Sequence, residues 1–108
     1  MRTLPEQRER YLRDTPAVRL GNLASELLRL SAWIEMRGHD GDVVGLIRRI
    51  AWLIEWNADA ASAELADMQR EICRWRRAWP MDTERLTVAS RARLMSSRVI
   101  QLSGLLDA

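Results

Sequence analysis

The one histidine of the chain, His39, sits in the turn Gly38-His39-Asp40-Gly41-Asp42, where a ring nitrogen beside two carboxylates suggests a metal site or an acid–base pair. A calcium loop starting at Asp40 would need oxygen ligands at its first, third and fifth positions and a glutamate at its twelfth. Those positions hold Asp40, Asp42, Val44 and Ala51, so half of the ligands are missing. The segment is read as a turn carrying helix-capping acids. A di-iron centre in a helical bundle requires inward glutamates and two Glu-x-x-His pairs, which a single histidine in a turn cannot supply. Cys73, the only cysteine, has no partner for an internal disulfide and no histidine near it in sequence to make it a nucleophile. This inventory argues against an enzyme, a metal site and a bound cofactor, and no small-molecule substrate is inferred from it.

Two clusters suit binding better than reaction. At about 100° per residue, Trp52, Trp56 and Gly45 fall nearly opposite the stripe Val43, Val44, Leu46, Ile47, Ile50, Leu53 and Ile54, next to Arg48 and Arg49. Two outward indoles one turn apart would expose on the order of 300 to 500 Å², and the same patch met across a two-fold axis would supply about half of an interface of roughly 1,600 Å². Tryptophan and arginine are also the residues most enriched among energetic anchors. The alternative is cover by the N-terminal helix or by a neighbouring helix. The second cluster, Cys73-Arg74-Trp75-Arg76-Arg77-Ala78-Trp79, resembles a basic-aromatic patch for single strands, and Arg70, Arg91 and Arg98 extend it into a candidate phosphate-binding set. Against this, Trp75 and Trp79 continue an apolar stripe, and arginines in the last turns of a helix offset its negative end. Arg91 lies at the edge of its own stripe, where it either covers the core with its methylenes or bridges to an acid on one of the two preceding helices. Trp33 lies one turn from Arg29 and Arg37, a spacing suited to cation–π contacts.

The elements that must position these residues follow from apolar spacing, and no strand-like alternation occurs anywhere. Pro5 to Arg13 reads as a short charged helix, broken by Asp14, Thr15 and Pro16. Thr15 caps the next helix, whose stripe is Leu20, Leu23, Leu27, Leu30 and Ile34, with Gly38 as its left-handed stop. Asp40 or Asp42 caps the following one. A further helix carries Ala61, Leu65, Met68, Ile72, Trp75 and Trp79, with Glu64, Asp67, Arg70, Arg74 and Arg77 turned outward, and Pro80 ends it. A single helix from Asp42 to Trp79 is the alternative; a break near Asn57 to Ala61 is preferred, because Asn57 or Asp59 can cap and so long a helix is rare in a small domain. The last helix starts at Asp82 or Thr83 and runs to about Leu106 along Val88, Ala92, Met95, Val99, Leu102 and Leu106. Short connections favour antiparallel neighbours, so the expected fold is all-α: an up-down four-helix bundle (residues 15–108) with a short N-terminal helix or arm (residues 1–14).

A chain of 108 residues forms one core. All seventeen basic residues are arginine, phenylalanine is absent and tryptophan occurs five times. Either codon usage or selection for the guanidinium, which forks onto carboxylates and stacks on indoles, accounts for the missing lysine. The net charge of +2 is too small for an indiscriminate nucleic-acid binder, yet residues 1–19 sum to +2, residues 20–69 to −4 and residues 70–108 to +4. Such a chain pairs head to tail with a copy, or brings its own acidic and basic helices together. The charged N-terminus does not read as a signal peptide. No apolar run reaches about 18 residues, so no membrane span is expected and the cytoplasm is the default location.

Thr15-Pro16-Ala17-Val18-Arg19-Leu20-Gly21-Asn22-Leu23-Ala24, the Ile54-Glu55-Trp56 step, Arg74-Trp75 and the ending Leu102-Ser103-Gly104-Leu105-Leu106 resemble a family of short cyanobacterial-type all-helical proteins. The resemblance implies a single helical domain and carries no activity or site residue across. The functional expectation is a non-catalytic helical interaction module. It self-associates as a homodimer, or docks a protein partner, through Gly45, Arg48, Arg49, Trp52 and Trp56. The alternative is an RNA- or DNA-binding accessory protein using Arg70, Arg74, Arg76, Arg77, Arg91 and Arg98. A helix lying on an anionic membrane surface is a weaker third, since its apolar face is needed for the core.

Overall fold

The computed structural model describes residues 2–36, 38–57, 63–80 and 82–104, and no strand occurs among them. The first two helices each open on a threonine cap, Thr15 as expected and Thr3 beyond the expected start at Pro5. In α1 (Leu4–Leu12) the Thr3 hydroxyl accepts from the Glu6 amide, and in α2 (Pro16–Glu35) the Thr15 hydroxyl accepts from the Val18 amide, with a proline in the first turn each time. Then follow α3 (Asp40–Trp56), α4 (Ala63–Ala78), a 3₁₀ turn (Asp82–Glu84) and α5 (Arg85–Ser103). Asn57 ends α3 with its amide on the Ile54 carbonyl, so the preferred break between α3 and α4 is present.

Several helix ends differ from expectation. Asp40 and Asp42 do not cap α3: Asp40 is drawn to Arg85, Asp42 to the His39 ring, and the capping position belongs to His39 without a side-chain bond. The end of α2 comes at Glu35 with an extended Met36, before the positive φ of Gly38. Gly104, in the left-handed region, stops α5 short of Leu106. Arg37, Asp59, Ala61 and Leu106 lie outside the described residues.

The predicted stripes meet in one core. Leu20, Leu23, Leu27, Leu30 and Ile34 of α2 face Val43, Leu46, Ile47, Ile50, Leu53 and Ile54 of α3, Leu65, Met68, Ile72 and Trp75 of α4, and Val88, Ala92, Met95 and Val99 of α5, all of them buried. Small residues let α2 and α5 approach most closely. Ala24 and Ser31, seven apart on α2, meet Ala89 and Ser96, seven apart on α5. Ser31 Oγ donates to the Ala89 carbonyl at 2.8 Å, and Ser96 Oγ donates to the Ala24 carbonyl at 2.7 Å. These reciprocal bonds set the two helices antiparallel and satisfy both hydroxyls inside the core. Apolar stripes alone did not reveal this seam, because serine and alanine carry little weight in them.

Two arginines are buried at opposite ends of α2. Arg85 Nε donates to the Ile34 carbonyl at 2.8 Å, its Nη2 pairs with Asp40 Oδ1 at 2.7 Å, and its guanidinium lies over the Trp79 ring, 5.2 Å from the centroid. Trp79 Nε1 in turn donates to the Asp40 carbonyl at 3.2 Å. One cation thus holds the end of α2, the start of α3 and the segment after α4 to the start of α5. At the other end Arg19 Nη1 donates to the Trp56 carbonyl at 3.4 Å. Both place positive charge where a helix exposes its last carbonyls.

The remaining arginines of α5 also point to other helices. Arg91 Nε donates to both Glu71 carboxylate oxygens at 3.1 Å, Arg98 forks onto Glu64 with two bonds of 2.6 Å, and Arg93 pairs with Glu35 at 3.1 Å. The charge asymmetry of the sequence is therefore used within the chain: α5, with arginines and no acid, is seated on acids from α2, α3 and α4. For Arg91 the bridge to α4 is the outcome.

Ala89→Leu, which forces a branched side chain into the α2–α5 seam, is expected to cost about 1–3 kcal/mol in urea unfolding. Ala66→Ser on the exposed side of α4 should stay within about 0.5 kcal/mol. Arg85→Ala should cost about 2–4 kcal/mol, because it strips a charged donor from a buried carbonyl, and Arg85→Lys should recover little of it.

Candidate functional site: a groove between α1 and α3

Helix α1 lies against the far side of α3, and this changes the position of the paired indoles. Tyr11 is the anchor. Its hydroxyl donates to the Arg19 carbonyl at 2.6 Å and accepts from Asn57 Nδ2 at 2.6 Å, while Asn57 Nδ2 also reaches the Leu53 carbonyl at 2.8 Å. The Tyr11 ring tilts against Trp56 at 5.9 Å between centroids, and Trp56 stacks on Trp52 at 6.2 Å. Trp56 is only 8% exposed and Trp52 is half-buried. The expectation of two outward indoles is corrected: α3 is apolar on both sides, and the chain covers the second side with its own N-terminal helix.

What stays open is a groove that collects the predicted residues. A cavity of about 280 Å³ is lined by Gly45, Arg48, Arg49, Trp52 and Trp56 of α3 together with Leu4 and Gln7 of α1. It adjoins a second, of about 450 Å³, lined by Arg2, Gln7, Arg10, Tyr11, Asp14, Arg49, Leu53 and Trp56. Gln7, Arg49 and Trp56 belong to both. Gly45 contributes room, since a side chain built there would meet nothing within 4 Å. Arg49 is partly committed, with Nε at 3.5 Å from Glu26 Oε2, and Glu26 also takes Arg29 at 3.3 Å. Among the described residues Arg2, Arg10 and Arg48 have no acidic partner, and Asp14 is the one acid in the lining. The groove therefore combines an indole and leucine surface with unneutralised guanidiniums.

The candidate phosphate-binding arginines do not form a free cationic face. Arg70 pairs with Asp67, Arg74 lies 3.8 Å from Glu71, and Arg91 and Arg98 are taken by Glu71 and Glu64. Arg76 and Arg77, exposed near the end of α4, have no acidic partner among the described residues. Trp75 is buried and Trp79 is held by Asp40, so neither is a platform for a base. His39 stacks on Trp33 at 5.7 Å, and Arg29 lies 5.9 Å from the Trp33 ring. Cys73 is half-buried within α4. No group of three metal-ligating side chains occurs among the described residues.

Tyr11 lies on the expected apolar side of the first helix, whereas Arg19 and Arg85 escape the sequence reading as organising residues, although the spacing contains them. Arg85 stands three residues before Val88 on the α5 stripe, and Arg19 four before Leu23 on that of α2. A charged residue at a core position is the signal that would have found both.

Burial pushes the Tyr11 phenol above its ordinary pKa of 10.0, an effect partly offset by the Asn57 hydrogen bond and the Arg19 charge. As pH rises past that value the unfolded chain releases the proton first, so the raised pKa makes stability fall with increasing pH. The chain has no lysine and a single tyrosine, and arginine keeps its charge there, so with Cys73 replaced by serine this loss is readable in isolation. Tyrosinate absorbance should titrate above pH 10 together with a fall in urea midpoint. Tyr11→Phe should remove that alkaline slope while lowering stability at neutral pH by about 1–2 kcal/mol.

No family model matches the chain, and no curated protein or solved structure shows significant similarity to it.

Proposed function

We propose that the protein is a non-catalytic interaction module that docks an acidic segment of a partner protein in the groove between α1 and α3. The observation that carries this reading is the coincidence of a half-buried Trp52, an exposed Leu4 and the unneutralised Arg2, Arg10 and Arg48 along one groove. Apolar side chains of the partner would seat on Leu4 and Trp52 while its carboxylates meet the guanidiniums, which present a planar fork. The supporting architecture is proposed to be an up-down four-helix bundle of α2 to α5 with α1 laid against α3. The pairs Arg49–Glu26, Gln69–Ala51 and Arg98–Glu64, which run antiparallel along successive helices, favour that topology. The nucleic-acid alternative keeps only Arg76 and Arg77 as free members of its set and is the weaker reading.

A glutamate-rich peptide with interspersed leucines is the probe. At low salt it should shift the Trp52 indole N–H resonance, with binding weakened tenfold or more by Arg10→Glu with Arg48→Glu and by raised salt. An unshifted Trp52 resonance in the folded wild type would overturn the proposal. Binding of a single-stranded oligonucleotide instead, lost in Arg76→Glu with Arg77→Glu, would favour the alternative.

A further inference from the structure

Large apolar side chains left exposed are not scattered over the molecule. Among the described residues these are Leu4, Val18, Leu28, Met36, Leu86 and Leu94, and all but Leu4 belong to α2, its end, or α5. The two helices lie side by side, so their outward ridges form one surface. Leu28 is 51% exposed, Leu86 70% and Leu94 61%.

The exposed charges on that surface are paired: Arg93 of α5 meets Glu35 of α2 across the two helices at 3.1 Å, so the pair is neutral in sum. Arg91 and Arg98 are turned sideways to α4 and Arg85 inward, Glu26 of α2 takes Arg49 of α3 together with its own neighbour Arg29, and Arg93 is matched by Glu35 on the face itself. Between the leucines the ridges carry the exposed small residues Ser25, Ala32, Ser90 and Ser97. Projecting leucines thus alternate with shallow positions on the same face, the relief that a surface needs to fit a copy of itself.

We propose that this α2–α5 face is the interface of a homodimer, formed by two copies packed face to face about a two-fold axis. An isologous contact brings each patch against itself, so a patch carrying net charge would repel its copy. Here the bordering charges are already paired, plus with minus, inside each subunit. Two helices of 20 and 19 residues make a face about 30 Å long and about 18 Å wide. That is roughly 500–600 Å² per subunit, or about 1,000–1,200 Å² in all, which clears the roughly 1,000 Å² that a specific contact needs and falls in the range of weak, reversible dimers. The groove between α1 and α3 is not part of the contact and stays accessible in the dimer.

Sedimentation equilibrium on the full chain tests this directly. The wild type should approach twice 12.5 kDa as concentration rises, and Leu86→Glu with Leu94→Glu should hold it at the single-chain mass with an unchanged helical circular-dichroism spectrum. A wild type that stays monomeric up to about 1 mM, the weak end of the affinity scale, overturns the proposal. So does a dimer that survives this double substitution but is lost in Trp52→Glu, which would move self-association to α3. Sedimentation with neutral phosphatidylcholine vesicles separates the other apolar occupant: a monomer captured by vesicles through Leu86 and Leu94 also overturns it. The acidic peptide should bind the double variant as it binds the wild type, so the two sites fail independently.

Discussion

The close approach of α2 and α5 is the constraint from which the rest of the arrangement follows. Ala24 and Ser31 against Ala89 and Ser96 remove the side-chain layer that separates most helix pairs, so a serine hydroxyl on each helix reaches a carbonyl of the other. With α5 pressed onto α2, its stripe of Val88, Ala92, Met95 and Val99 completes the core that α2 and α3 begin. Its arginines are then placed to reach out in three directions. Arg93 stays with α2, Arg85 turns inward to the junction of helix ends, and Arg91 and Arg98 span to α4. A lysine could not make the forked contact of Arg98 with Glu64, nor combine the carbonyl, carboxylate and ring contacts of Arg85. The hydrogen bond from Arg98 holds the Glu64 carboxyl below its usual range.

A second consequence concerns the two ends of α2. Helices that end beside a core leave carbonyls without donors, and burying these costs free energy unless a donor reaches them. Arg85 serves the end of α2 and Arg19 the end of α3, each with its charge at the negative pole of the helix it serves. Tyr11 then connects Arg19 to Asn57 and fixes α1 over Trp56. The groove assigned to partner binding exists because of that closure: α1 covers the inner indole and leaves Trp52 at a border rimmed by arginines. The surface assigned to self-association arises from the opposite effect, since the inward and sideways pull on Arg85, Arg91 and Arg98 leaves the outer ridge of α2 and α5 with the self-neutralised pair Arg93–Glu35.

The candidate site was legible in part. Amphipathic spacing identified Gly45, Arg48, Arg49, Trp52 and Trp56 as sharing a face, and they do line one cavity. Period alone cannot say what covers a face, so the burial of Trp56 under Tyr11 lay beyond it. The same holds for Arg91 and Arg98, whose positions on α5 were readable and whose partners Glu71 and Glu64 were not. The stop at Gly104 was present as a residue type, but the apolar period running on to Leu106 outweighed it.

Local pattern determined what depends on neighbours along the chain: the existence and approximate extent of each helix, the Thr15 cap, the break at Asn57 and the inward stripes. These rest on backbone hydrogen bonds and 3.6-residue periodicity, which are fixed over one or two turns. Tertiary structure alone decided which helices touch, because that depends on matching small residues seven apart on α2 and α5 across more than fifty positions of sequence. It also decided the fate of each charge. A guanidinium is free, paired or buried according to which acid or carbonyl the packing brings within about 3 Å, and no periodicity carries that distance.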